Sequence, residues 1–292
     1  MTWLKTSSLS RRHADRRLAP LLAVLAAGAA LILLLVLVFL LREAWPVLNG
    51  DSWQRFFGDD GWYPLEGRFG LLAMVWATLA ATFGAILLAA PLGLACAVFV
   101  CFYTSPGLAK LYRMMLALLA GIPSVVYGLW GLTVLVPLIA RWQPPGASLF
   151  CAILILALMI LPTVALTSAS ALAAVPRPLL HGAAALGLTR KGIILGVAVP
   201  AARAGIFGGI LLATARALGE TMAVLMVAGN VVQNPSGLFE PVRVLTANIA
   251  LEMAYATGTH RAGLFASGLM LTLLVLVLAS LAARIGGHTR HV

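Results

Sequence analysis

Arg216 and Glu220 stand four residues apart within the apolar run from Gly205 to Gly229, deeper in hydrocarbon-like sequence than any other charged pair of the chain. On a helix starting near Gly205, Arg216 lies roughly 16 Å from the start, close to the middle of a ~30 Å hydrocarbon core. A charge there costs about 2.5–3.5 kcal/mol on the translocon scale, so ionisable groups at that depth usually face a protein cavity or a substrate path. Arginine offers a planar fork of donors suited to an oxyanion, which the compact ammonium of lysine does not. The competing reading is an intrahelical salt bridge that only neutralises both groups. Its order is the weaker one, because the basic residue precedes the acidic one.

Of the 292 residues, 62% are hydrophobic and 10% charged, whereas soluble domains carry roughly 25% charged residues. Composition therefore predicts an integral membrane protein. Several apolar stretches exceed the ~20 residues that cross a bilayer as helix, and the alternation of outer-membrane strands is absent, so the fold class is all-α. Six transmembrane helices are expected, at about 18–41, 70–101, 108–137, 148–175, 205–229 and 262–284. Cys96, Cys101 and Cys151 fall in apolar stretches without metal-ligand spacing and read as small core residues. No metal ligands and no catalytic residues are assigned. His13, His181, His260, His288 and His291 are dispersed, which argues against a membrane enzyme.

The net charge of +11 is unevenly placed. Lys5, Arg11, Arg12, Arg16 and Arg17 precede the first span, Lys110 and Arg113 edge the second connection, Arg177, Arg190, Lys191 and Arg203 fill the fourth, and Arg284 and Arg290 follow the sixth. The opposite face holds Arg42, Arg55, Arg68, Arg141, Arg243 and Arg261 with most of the acids. The positive-inside rule then puts both termini in the cytoplasm of a multi-pass inner (plasma) membrane protein, with the bilayer rather than nucleic acid as the partner of the basic residues. The organisation expected is a cytoplasmic basic N-terminus at 1–17, a first helix at 18–41 too long for a cleaved signal peptide, an extracytoplasmic loop at 42–69, a core at 70–285 and a cytoplasmic tail at 286–292. Trp45, Trp53, Phe56, Phe57, Trp62 and Tyr63 in the 42–69 loop suit the headgroup layer, which predicts a loop lying against the membrane.

Three further elements could position chemistry. In span three, Pro123 removes a backbone donor and Gly121 and Gly128 permit close helix approach, so that Ser124, Tyr127 and freed carbonyls could line a wet cavity. A kinked packing helix is the alternative. Thr78, Thr82, Thr163, Thr167, Ser168, Ser170 and Thr221 are weaker polar-path candidates, since such hydroxyls mostly bond their own helix. The segment from Val244 to Ala256 predicts an interfacial or re-entrant gate helix, on which Asn248 and Glu252 share a face. Between spans four and five, about 176–203, Pro176 and Pro178 end the preceding span, Leu179 to Leu188 suits a short helix, and Gly187 offers a turn before a second short helix ending near Pro200.

In this hairpin, Gly187, nine residues, Val197, one residue, Val199 and Pro200 resembles the coupling loop of ATP-binding-cassette importer permeases, whose pattern is E-A-A, three residues, G, nine residues, I, one residue, L-P. His181 stands at the glutamate, Gly182 at the first alanine and Ala183 at the second. The stretches 121–128 (GIPSVVYG) and 216–224 (RALGETMAV) resemble phosphate-importer permeases of the PstC type, and the order of parts agrees over roughly residues 15 to 285. The resemblance implies a type I permease fold and a cytoplasmic hairpin docked on an ATPase. It further implies a complex with a PstA-type permease, two ATPase copies and an extracytoplasmic phosphate-binding protein. ATP and Mg would sit on the ATPase, with no cofactor on this chain, which lacks a Gly-x-x-x-x-Gly-Lys-[Ser/Thr] loop. Arg216, Glu220, Ser124, Tyr127 and Thr221 are then expected along the substrate path. Glu220 could accept the hydroxyl hydrogen of hydrogen phosphate and repel sulfate, which lacks one. Permeases for sulfate or molybdate carry similar stretches, and a gradient-driven secondary transporter would leave the coupling hairpin unexplained.

Overall fold

A computed structural model describes residues 7–49, 58 and 61–287, with the surroundings of side chains described for 18, 20–49, 58 and 61–280. The expected loop residues Trp53, Phe56 and Phe57 and the tail from 288 lie outside the described residues. The elements are α1 (Ser7–Leu48), a two-stranded hairpin β1 (Trp62–Tyr63) and β2 (Arg68–Phe69), α2 (Leu72–Val98), α3 (Pro106–Gly121), α4 (Ser124–Trp130), α5 (Val136–Ala140), α6 (Leu149–Ala173), α7 (Arg177–Ala185), α8 (Arg190–Ile193), α9 (Val199–Leu218), α10 (Met222–Val227), α11 (Leu245–Glu252) and α12 (Gly258–Gly287). Among the described residues, five stretches are long and apolar enough to span a membrane: Pro20–Leu48, Leu72–Tyr103, Leu149–Ala173, Arg190–Leu218 and Gly258–Ser280. A sixth is a bent pair, Pro106–Gly121 with Ser124–Ala140, at 88°.

The α6 helix is apolar on every side and is the central element, packed by α2 on one flank and α9 on another. Lipid is as apolar as leucine, so close backbone approach rather than hydrophobicity draws such helices together. On α2 the approach is made by a stripe at four-residue spacing, Ala77, Ala81, Ala85, Ala89 and Gly93, all buried. A Cβ on Gly93 would stand 2.8 Å from Val164, and one on Gly84 2.6 Å from Ile153. The first amides of α6 are not left bare. Leu149 N–H donates to the Glu240 carbonyl (2.9 Å) and Phe150 N–H to that of Leu238 (2.7 Å), so the loop before α11 closes this helix end. By contrast α1 is largely exposed and rests on α12.

Four expectations about local structure are corrected. Span five is not one helix from 205 to 229: α9 stops at Leu218 and α10 begins at Met222. Gly219 and Thr221 are weak helix formers, and the chain turns there. The second helix of the hairpin does not end near Pro200, because α8 continues through a π-turn at Ile194–Ala198 into α9. The same device, Gly131–Leu135, precedes Pro137. A widened turn just before each proline gives the ring room where an α-turn would meet the preceding carbonyl. Third, the ring of Trp62 does not lie on the bilayer surface. It is 6% exposed and packs with Phe69 over Gly263 of α12, while Tyr63 and Leu65 at the hairpin tip remain exposed. Fourth, Gly121 faces open space and brings no helix close, unlike Gly128.

Candidate substrate-path site

The break between α9 and α10 sets the two charges apart. Arg216 occupies the last turn of α9, where its cation complements the negative end of the helix, and it is exposed. Glu220 lies in the break, half-buried, and forms no ion pair with Arg216. Its Oε1 instead accepts the Ala223 N–H (3.1 Å) and so caps α10. Its backbone carbonyl accepts the Thr246 hydroxyl (2.8 Å) from α11, and the Thr221 hydroxyl turns back to the Gly219 carbonyl at 3.4 Å. The intrahelical salt bridge is therefore absent from this structure, and Arg216 is exposed.

The broken third span meets this break. Pro123 and the extended backbone of Ile122 end α3, and α4 then packs so tightly on α10 that a Cβ on Gly128 would stand 2.9 Å from Ala223 Cα. Tyr127 is buried, and its hydroxyl donates to the Leu119 carbonyl (2.8 Å), suturing the 88° bend. The phenol is also within electrostatic range of Arg216. Ser124 is half-buried at the first turn of α4. The structure thus brings Arg216, Glu220, Tyr127 and Thr221 into one neighbourhood through the α4 and α10 contact. Between Glu220 and α11 only about 10 Å³ remains, walled by Thr78, Thr82, Ala217, Val224 and Thr246, which is too little for more than one water. A hollow of about 750 Å³ between α2, α9 and α12 is apolar and excludes both Arg216 and Glu220.

Three of the seven weaker polar candidates satisfy their own helices, whereas the Ser168 hydroxyl is buried without a partner. Thr167 donates to Thr163 (2.7 Å), Ser170 to Leu166 (2.9 Å) and Thr78 to Met74 (2.7 Å), while Thr78 also receives the Leu245 N–H (3.1 Å). The sequence placed Asn248 and Glu252 on one face of α11 but not the partners they find there. Glu252, 7% exposed, accepts from Arg243 Nη1 (2.7 Å), Trp62 Nε1 (2.7 Å) and His260 Nε2 (2.8 Å). Arg243 also binds Asn248 Oδ1 (3.1 Å) and the Asn230 carbonyl (2.9 Å). The available signal was an acid inside the apolar VLTANIALEMAYA stretch, which needs a cation nearby.

At the hairpin, Gly187 has φ +79°, and its N–H donates to the Ala184 carbonyl (3.0 Å). That left-handed turn is open to glycine at no steric cost. Thr189 caps α8 by accepting the Gly192 N–H (3.3 Å). Of the motif residues, His181, Gly182 and Pro200 are exposed, Val197 and Val199 are half-buried, and Ala183 is buried. Arg190 lies over the ring of Tyr103, 4.6 Å from its centroid, which links the hairpin to the end of the second span.

Broken spans and a helical hairpin between two of them are features of a membrane permease. Residues 89–291 match the family described as binding-protein-dependent transport system inner membrane component. The chain belongs to that family. It is 34% identical over 292 aligned positions to the "Phosphate transport system permease protein PstC" of Mesorhizobium japonicum, covering 92% of this chain and 87% of that protein. It is 40% identical over 215 positions to the "Probable ABC transporter permease protein YqgH" of Bacillus subtilis, covering 72% and 70%. Among solved structures, a bacterial alginate importer aligns with a TM-score of 0.66 at 16% identity over 97% of this chain and 99% of the other. The inward-facing MetNI methionine transporter aligns at 0.61 and 21% over 75% and 95%. At these identities the structural likeness establishes the fold, a type I importer permease.

Proposed function

We propose that this chain is a membrane permease subunit of an ATP-driven phosphate importer and supplies half of its translocation path. The observation that carries the reading is an exposed Arg216 fork, unpaired with Glu220, at a break between two helices of a phosphate-permease relative. A buried structural ion pair would have been closed on itself, whereas this arginine is left free for a dianion. Glu220 keeps Oε2 available after capping α10, so it can accept the hydroxyl hydrogen of hydrogen phosphate. Thr221 supplies a neutral hydroxyl next to it in the chain, Tyr127 holds the bend of α4, and Ser124, half-buried at the start of α4, offers a further hydroxyl along the same path.

The chain itself is a non-catalytic subunit and holds no cofactor. The hairpin presents Leu179, Leu186 and Leu188 to the exterior, an apolar set suited to a groove on an ATPase. The remaining parts are a PstA-type permease opposite Arg216, two ATPase copies carrying ATP and Mg, and an extracytoplasmic phosphate-binding protein. Both termini and the 176–203 hairpin are cytoplasmic. ATPase closure moves the hairpins together, and the stack of Arg190 on Tyr103 passes this movement to the second span. The deciding experiment is substrate-dependent ATPase activity of the reconstituted complex with phosphate, sulfate and molybdate. Stimulation by phosphate-loaded binding protein is expected; stimulation by sulfate or molybdate alone would reassign the anion.

A further inference from the structure

The α11 helix is held at both ends, and its two attachments belong to different layers of the molecule. At its first turn, the Leu245 N–H reaches Thr78 (3.1 Å) and the Thr246 hydroxyl reaches the Glu220 carbonyl (2.8 Å). At its last residue, Glu252 receives three donors from three other segments: Trp62 of the β1–β2 hairpin, Arg243 of the loop before α11, and His260 of α12. The Arg243, Glu252 and His260 side chains are 20%, 10% and 14% exposed, so these charge-assisted bonds are little screened by water. An eight-residue helix is a rigid rod of about 12 Å, and a shift at one end must appear at the other.

The layer is also incompletely satisfied. Asn248 Nδ2 and Asn230 Oδ1 are buried without partners, and both residues touch Arg243 through their other polar atoms. A static polar core pairs such groups, because each unpaired one is unfavourable. Beside the arginine, one amide donor (Asn248 Nδ2) and one amide oxygen (Asn230 Oδ1) are thus left without a partner.

We propose that Glu252 is a positioning group for transport: by gathering Trp62, Arg243 and His260, it clamps α11 against the Glu220 break and keeps that face shut until a partner separates the hairpin from α12. This inference rests on the proposed function, in that the face concerned is the one a binding protein would meet. Tyr63 and Leu65, exposed at the tip of the hairpin that carries Trp62, give such a partner a handle. About 10 Å³ is left among Glu220, α11 and the neighbouring helices, so α11 lies packed on the break.

The test uses the assembled complex in lipid nanodiscs, without phosphate or binding protein. Glu252→Gln keeps the shape but replaces one acceptor oxygen with a donor that faces Trp62 and His260 or Arg243. It is expected to raise basal ATPase activity at least about fivefold, the lower end of usual coupling between sites, and to speed hydrogen exchange of the Leu245–Glu252 amides. Trp62→Phe, which keeps a ring and removes one donor, and His260→Leu should move both readouts in the same direction. His260→Gln retains a donor and should stay near the parent. Lowered heat stability with unchanged ATPase activity and unchanged exchange in Glu252→Gln and Trp62→Phe overturns the proposal, because a purely structural hub gives that pattern. Normal phosphate uptake by Arg216→Ala would sink the substrate-path reading alone, since the two readouts here involve neither phosphate nor Arg216.

Discussion

Arg216→Ala should nearly abolish phosphate uptake into vesicles by assembled complexes while leaving phosphate binding to the separate binding protein untouched. Arg216→Lys should also be impaired, because an ammonium cannot make the paired contact of the fork. The lack of an Arg216–Glu220 ion pair sharpens the contrast with a structural role. Were the two charges mere counterions, replacing both with leucine would remove both together and restore transport. Near-normal uptake by the double-leucine protein is the result that ends the substrate-path reading. Glu220→Gln is subtler: the amide oxygen can still cap Ala223 N–H, so α10 should form, but discrimination against sulfate should weaken. Competition uptake with labelled phosphate and excess sulfate measures it. At Gly128, even a methyl would meet Ala223 Cα at 2.9 Å, so Gly128→Ala should destabilise the α4–α10 contact by about 1–3 kcal/mol through overpacking, seen as reduced survival of the complex on heating.

Among the elements, the hairpin offers the sharpest separation of folding from function. Gly187→Pro cannot reach φ +79° and loses the N–H bonded to Ala184, so it should uncouple ATPase activity from transport while membrane insertion proceeds. His181→Ala should be mild if, as proposed, docking is carried by the exposed leucines of the hairpin. Well-assembled Gly187→Pro that transports normally would overturn the coupling role. The Arg190–Tyr103 stack belongs to the same scale. Tyr103→Ala removes the ring, whereas Tyr103→Phe retains it, so only the first should lower the ratio of phosphate moved to ATP hydrolysed. The continuous run from Arg190 to Leu218 gives such movement a direct route, since the hairpin's second helix and the helix bearing Arg216 are one body.

For the molecule as a whole, orientation follows from lysine and arginine placement. Single cysteines at Thr189 and Gly237, in a protein lacking Cys96, Cys101 and Cys151, should separate cleanly in intact cells. An impermeant maleimide is expected to label position 237 and spare 189. The reverse pattern would invert the topology and leave the hairpin unable to meet an ATPase. The exposed leucines of α1 and α3 and the exposed Arg216 fall on surfaces that this chain does not cover by itself. An isolated permease should therefore be less stable in detergent than the complete complex, a difference readable as a lower unfolding temperature.

Composition determined a membrane protein, and the length of its apolar stretches, with no strand alternation, made it all-α, because lipid requires each span to satisfy its own backbone. Gly187 was legible for the same local reason: a helix end followed by glycine specifies a turn whatever surrounds it. The location of Arg216 and Glu220 in one region was also visible in sequence. Their relation to each other was not. Gly219 and Thr221 weaken the helix locally, but the Glu220 carbonyl that the break frees is taken up by the Thr246 hydroxyl of α11, a contact from another part of the chain. The aromatic loop shows the limit most clearly. An indole suits a headgroup layer and a buried carboxylate equally well, and the choice for Trp62 was made by Glu252, 190 residues away. Pattern within a segment sets which elements form; only packing between distant segments decides which charges find partners and which remain free.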